Sequence, residues 1–208
     1  MTTEPGLTKP SRARHAGERL PAAERRAAVL EAALELFSTT SYSSATTAEI
    51  ARVAGISEPI LYRHFASKRD LWLACLDAAW NEVRNVIEEK MNVMKGGVDV
   101  PMDEIRSPWE SPRLANLWLQ GMAGAGGDAA IAESVARHMR EVHAAVAGLL
   151  RAQQRMGAIA ADRNADAEAW IFIGGGLLSA AGDRLGVISR ADMVAIGHER
   201  RRWLSGRT

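Results

Sequence analysis

Residues 48–65 read AEIARVAGISEPILYRHF. A short stretch with Ile50, Val53 and Ala54 as its apolar face runs into Gly55, and a second stretch of similar length follows. This spacing predicts a helix, a turn and a second helix. Ala51 is small where two helices must cross closely. Gly55 lets the chain turn without a side-chain clash, and Ile56 and Leu61 bury the turn and the inner face of the second helix. Both helix starts are marked. Thr46 with Glu49 forms a capping box, and Ser57 is an N-cap residue with Pro59 tolerated in the turn that follows.

Upstream, Pro21 suits a first helical turn, and Val29, Leu30, Ala33, Leu34 and Phe37 recur at three-to-four spacing. SYSSATT at 41–47 interrupts that pattern. Downstream, Ser67 and Asp70 form another box. It opens a long helix carrying Leu71, Trp72, Cys75, Leu76, Ala79, Trp80, Val83 and Ile87 in one apolar stripe to about Met94. Gly96, Gly97, Pro101, Pro108 and Pro112 make 96–112 a loop with a short helical piece around 101–106. Further helices are expected near 113–123, 129–156, 165–184 and 190–205. GAGGD (124–128) is a turn, Gly157 a C-cap, and Asp192 lies in the first turn of the last helix. The fold class is all-α.

Composition agrees. The 208 residues include 37 alanines, two tyrosines and three phenylalanines, which favours helices over sheets. The lone Cys75 cannot form an internal disulfide and reads as a small core residue. The first twenty residues lack the apolar run of a signal peptide, and WIFIGGGLLSAAG (170–182) is too short for a membrane span. A cytoplasmic protein with no membrane partner is expected. The domains read as a flexible basic leader at 1–20, a helix-turn-helix unit at 21–80 and a helical remainder at 81–208.

A helix-turn-helix offers its second helix to a major groove. The outward residues here are Glu58, Pro59, Ile60, Tyr62, Arg63 and His64. Ser57, Thr47 and Lys68 are placed to take phosphate oxygens, and Ile60 and Pro59 to meet a thymine methyl. Charge lends no support. Net charge is +1, and residues 1–70 hold ten Lys or Arg against eight Asp or Glu. Many helical proteins contain a two-helix turn and never touch DNA. A small-molecule-binding protein or a protein-interaction adaptor is the alternative.

Residues 24–80 resemble the DNA-binding domain of the TetR family of transcriptional regulators. The likeness runs through VLEAALELFSTTSYSSATTAEIARVAG and ISEPILYRHFASKRDLWLAC. Its most recognisable part is the arrangement of Leu61, Tyr62, His64, Phe65 and Lys68. The resemblance implies DNA contacts at Thr47, Ser57, Pro59, Tyr62, His64 and Lys68. It also implies an N-terminal three-helix bundle joined by a long helix to an α-helical ligand-binding and dimerisation domain. A palindromic operator, a small-molecule effector, a homodimer and repression are its further implications. One departure is Ser41, where the family usually has glycine, and a little local strain is expected there. QQRMGAIAADRNADAEAWIFIGGGL (153–177) resembles the end of one helix and the start of the dimerisation helix.

In the second domain, Trp109, Trp118, Gln120, Met122, His138, Val142, Trp170 and Phe172 are candidate effector contacts. Bulky rings among small residues can bound an apolar cavity, and ordinary core packing is the other reading. Gln120, His138 and Arg140 are the polar anchors. The run at Gly174, Gly175 and Gly176 presents a smooth face, placing a homodimer interface around Gly174, Leu177, Leu178, Ala181, Val194 and Trp203. HExxH, GxSxG and P-loop patterns do not occur, and GAGG at 124–127 follows a helix. His138 and His143 do not share a helix face. No catalytic residue, metal or cofactor is expected.

Overall fold

The computed structural model describes residues 21–95 and 111–206, and among them every regular element is an α-helix. The expected leader and residues 96–110 of the expected loop, with its short helical piece and Trp109, lie outside the described residues, while Pro112, at the end of that loop, begins a helix. The helices are α1 (Ala22–Thr39), α2 (Thr47–Val53), α3 (Glu58–His64), α4 (Lys68–Lys95), α5 (Pro112–Ala125), α6 (Ala129–Arg155), α7 (Ala165–Leu185) and α8 (Arg190–Ser205).

The head is built from α1, α2, α3 and the start of α4. Pro21 is the N-cap of α1, one place before the first turn expected for it, and its carbonyl accepts from Arg25 N–H. Val29, Ala33, Leu34 and Phe37 turn inward. The α2 box forms as the sequence predicts: Glu49 N–H donates to Thr46 Oγ1, and Thr46 N–H donates to Glu49 Oε2. Gly55 has φ +68°, a left-handed conformation that a side chain would penalise. That turn lets Ile56 N–H reach Ala51 O at 3.0 Å. Ile50, Ala51, Leu61 and Phe65 then seal α2 and α3 against α1.

Strain at Ser41 does not materialise. No described residue other than glycine has positive φ. Ser41 O accepts from Ser44 N–H and Ala45 N–H, and its hydroxyl lies 2.6 Å from that of Ser44. Hydroxyl groups bonding to nearby backbone stabilise the turn, so glycine is not needed.

α4 has 28 residues, about 42 Å at the rise of an α-helix. Its predicted stripe is buried from Leu71 to Ile87. The lower part of that stripe closes the head, and the upper part packs on α5 and α6. α6 lies between α4, α5 and α7 as the central helix of the second domain. Apolar packing runs from Val29 to Leu204 as one cluster. The expected division after residue 80 therefore falls inside α4, within packed core. Ser189 and Asp192 form a full capping box on α8, and Gly157 and Gly206 close α6 and α8 with φ +76° and +66°. No described helix is long and apolar enough to cross a membrane.

Candidate nucleic-acid interface

α3 buries Leu61 and turns Pro59, Tyr62 and Arg63 outward, with Ile60 and His64 half-buried. The axis of α3 is therefore set by one side chain facing in and a polar surface facing out. Ser57 caps α3 through its backbone, its carbonyl accepting from Ile60 N–H and Leu61 N–H, and its hydroxyl makes no capping bond. Exposed Ser57 thus keeps its side chain available on the outer surface.

Thr47, expected to reach a phosphate, has its hydroxyl engaged within the head. It is buried, its hydroxyl donates to Glu58 Oε1 at 2.5 Å, and it lies 3.1 Å from Tyr62 Oη. These bonds tie the first residue of α2 to both ends of α3's outer face. They also give the Glu58 carboxylate, an acid on an otherwise hospitable surface, an internal partner.

Lys68 is fixed as well. Its ammonium sits 4.7 Å from the centroid of the Tyr42 ring and donates to Ser43 O at 3.4 Å. Burial holds its pKa below the ordinary lysine value. Beneath it, Tyr42 leans on Trp72, with centroids 5.2 Å apart, and Trp72 meets Phe37 edge-on at 4.8 Å. Arg26 lies over Phe65 at 4.5 Å. Aromatic rings thus steer two of the head's cations.

The second domain has its own aromatic group. His138 is buried between Trp80 and Trp118, at centroid distances of 6.0 and 6.2 Å, and its Nε2 is 2.8 Å from Asp77 Oδ1. Burial, reinforced by the charge of Arg137, pushes the His138 pKa down against the opposing pull of Asp77 and Glu141. Val142 is buried on the same helix, and Met122 and Phe172 pack against the core from α5 and α7. Trp80 Nε1 and Ser134 Oγ are buried without a hydrogen-bond partner.

Two expected members stand apart from this group. Trp170 is half-exposed and stacks on His143 at 4.3 Å. Gln120 reaches toward the head, donating to Phe37 O at 2.7 Å and accepting from Tyr42 N–H at 2.8 Å. Arg140 is exposed. Among the described residues, no three His, Cys, Asp or Glu side chains are grouped to hold a metal.

α7, α8 and the turn between them leave Ile171, Leu178, Leu185, Val187, Val194, Ile196 and Trp203 exposed. A side chain at Gly174 or Gly175 would meet nothing within 4 Å, so no described residue presses on these two positions. Leu177 and Ala181 are half-buried. The glycine that permits a close approach is Gly182, where a Cβ would lie 2.6 Å from Ile188. Trp203 donates to Glu168, stacks on Arg163 at 3.9 Å and still exposes half its surface.

Residues 29–75 match the family model for bacterial regulatory proteins of the tetR family. Over these residues the head is similar to the DNA-binding domain of the TetR family. The chain is similar to the HTH-type transcriptional activator FasR of Mycolicibacterium smegmatis, 46% identical over 71 residues, which are 34% of this chain and 32% of FasR. The chain thus matches about a third of that relative's length. The fold likeness extends further. A TetR-family regulator from Agrobacterium tumefaciens superposes with a TM-score of 0.74 at 19% identity, covering 88% of this chain and 99% of that one. A regulator from Saccharomonospora viridis, solved in complex with choline, gives 0.66 at 19% identity, covering 86% and 94%.

Proposed function

We propose that this protein is a member of the TetR family: a homodimeric, sequence-specific DNA-binding transcriptional regulator released by a small apolar or amphipathic effector. The supporting observation is the outer face of α3. Pro59, Tyr62 and Arg63 are exposed on a helix held rigidly by Leu61, and a positioned lysine stands at the start of the next helix. In this reading Ser57, Tyr62, His64 and Lys68 contact phosphates, while Glu58, Pro59, Ile60 and Arg63 face base edges. Thr47 acts through Tyr62 and Glu58.

The exposed apolar side chains of α7 and α8 supply a self-complementary face. A two-fold pair would present two α3 helices to successive major grooves of a palindrome. The effector site is the group around Trp80, Trp118 and His138, where unpartnered Trp80 Nε1 and Ser134 Oγ would welcome a polar atom on a mainly apolar ligand. Repression is the family expectation. FasR, similar over the head, is named an activator.

The test is a binding selection over random DNA with the full chain, followed by gel retention. A palindromic consensus is expected, with retention lost on changing Tyr62→Ala in a protein that keeps its helical signal. Equal retention of selected and random DNA would sink the reading. Quenching of tryptophan emission during a compound screen then identifies effectors.

A further inference from the structure

We infer that Gln120 is a positioning residue for DNA binding: from the second domain it sets, through Tyr42, the placement of the Lys68 ammonium on the DNA-facing surface. The inference rests on the DNA-binding reading above and extends it to a residue 78 positions distant in sequence from Tyr42.

The side chain of Gln120 is spent entirely on the head. Its carbonyl oxygen accepts from Tyr42 N–H at 2.8 Å, and its amide nitrogen donates to Phe37 O at 2.7 Å. These two partners flank the end of α1, so one carboxamide spans the exit of that helix. Tyr42 follows in the turn, and its ring rests on Trp72 and carries Lys68 on its face. A short chain of contacts, Gln120 to Tyr42 to Lys68, therefore runs from α5 to the first residue of α4.

Neighbours on α5 reinforce the grip. Asn116 donates to Ser38 O at 3.1 Å, and Arg113 pairs with Glu31 at 2.6 Å. The other face of α5 buries Leu117 and Trp118, the latter beside His138. α5 thus touches the aromatic group of the second domain with one face and holds the α1–α2 turn with another. A shift of α5 that breaks the Gln120 bonds removes the backbone anchor of Tyr42, so its ring and the cation resting on it are then held by Trp72 and by the Ser43 carbonyl. This route runs alongside the direct one through α4.

Gln120 touches no DNA, so its effect must pass through Lys68, and a double-mutant cycle reads that dependence. The probe is the DNA selected by the wild-type chain, with affinity measured by fluorescence anisotropy between about 50 and about 200 mM salt. Each phosphate contact adds about 0.9 to the salt slope. Losing one Lys68 contact per protomer of a dimer should shrink the salt-driven fall in affinity by ~12-fold over that range. Lys68→Ala, Gln120→Ala and the double variant are expected to share that reduced slope, the double variant weakening binding no more than Lys68→Ala alone. Tyr42→Leu removes the ring but keeps the backbone bond to Gln120, and should reproduce the slope even where Gln120→Ala folds poorly. Independent, multiplying losses from Gln120→Ala and Lys68→Ala, or a wild-type slope in Tyr42→Leu, would overturn the inference. Failure of the wild-type chain to select any DNA would instead remove the DNA-binding reading and this inference with it.

Discussion

Two tryptophans eight residues apart on α4 organise two different aromatic groups. Trp72, in the head, is fully buried against Phe37 and Tyr42 in a cluster of rings, and its Nε1, like that of Trp80, has no hydrogen-bond partner. Trp80, two turns further along, shares its space with a buried imidazole that is bonded to a half-exposed carboxylate, and with an unpartnered serine hydroxyl. The first group suits a platform that must hold its shape. The second retains polar groups that an apolar core would be more stable without. One helix therefore joins a cluster of rings in the head to a group that also holds an imidazole and a serine hydroxyl.

The largest effect expected is on stability. Trp72→Ala should cost ~3–5 kcal/mol, the range for emptying a large buried aromatic site. Trp118→Ala should cost ~1 kcal/mol less, because half-buried Met122 and Met139 can move into the space. Urea unfolding followed by circular dichroism measures both, and the reverse order would break the contrast between platform and pocket. Next in size is Thr46→Ala, which removes the α2 cap and should cost ~1 kcal/mol. The same experiment should show weakened DNA retention, whereas Ser189→Ala, the matching change on α8, should cost about as much with retention kept.

A smaller effect separates the two groups by pH. The His138 pKa lies below its ordinary value in the folded chain, so the unfolded chain takes up that proton first as pH falls. This contribution to stability is complete above about pH 6.5 and declines below it. His138→Gln should flatten the decline in urea midpoint between about pH 7.5 and about pH 5.5; an unchanged slope would mean other groups carry it. Smallest of all, Ser134→Ala should change stability by less than ~1 kcal/mol in either direction, since it removes a buried hydroxyl that bonds to nothing. If the second group is the effector site, the same change alters the effector response out of proportion to that small cost.

Legibility followed sequence distance. The head could be read because its determinants are local: the box at Thr46 and Glu49, Gly55 at the turn, and inward Leu61 all act within a few residues. The helices of the second domain were equally plain from periodicity, glycine and proline. What those signals cannot carry is which helix face meets which. Gln120 looked like a polar anchor for a ligand, and only the packing of α5 on α1 turns it toward Phe37 and Tyr42. Trp170 looked like a cavity wall because large rings are usually buried, yet it stacks on His143 near the surface. Thr47 was placed at the right helix start, but its bonds to Glu58 and Tyr62 depend on the angle between α2 and α3. The glycine run promised a close approach that this chain does not itself make at Gly174 or Gly175, while Gly182 makes one with Ile188, six residues later.

Cys75 has a practical consequence. Its thiol is fully buried beneath the head, and burial drives its pKa far above the ordinary thiol value, so the thiolate that would react is suppressed. It is the chain's one cysteine. A second cysteine introduced on the outer face of α3 or α8 can therefore carry a fluorophore while the native one stays silent. Conversely, the rate at which Cys75 itself is modified becomes a clock for opening of the head, counting each excursion that exposes it.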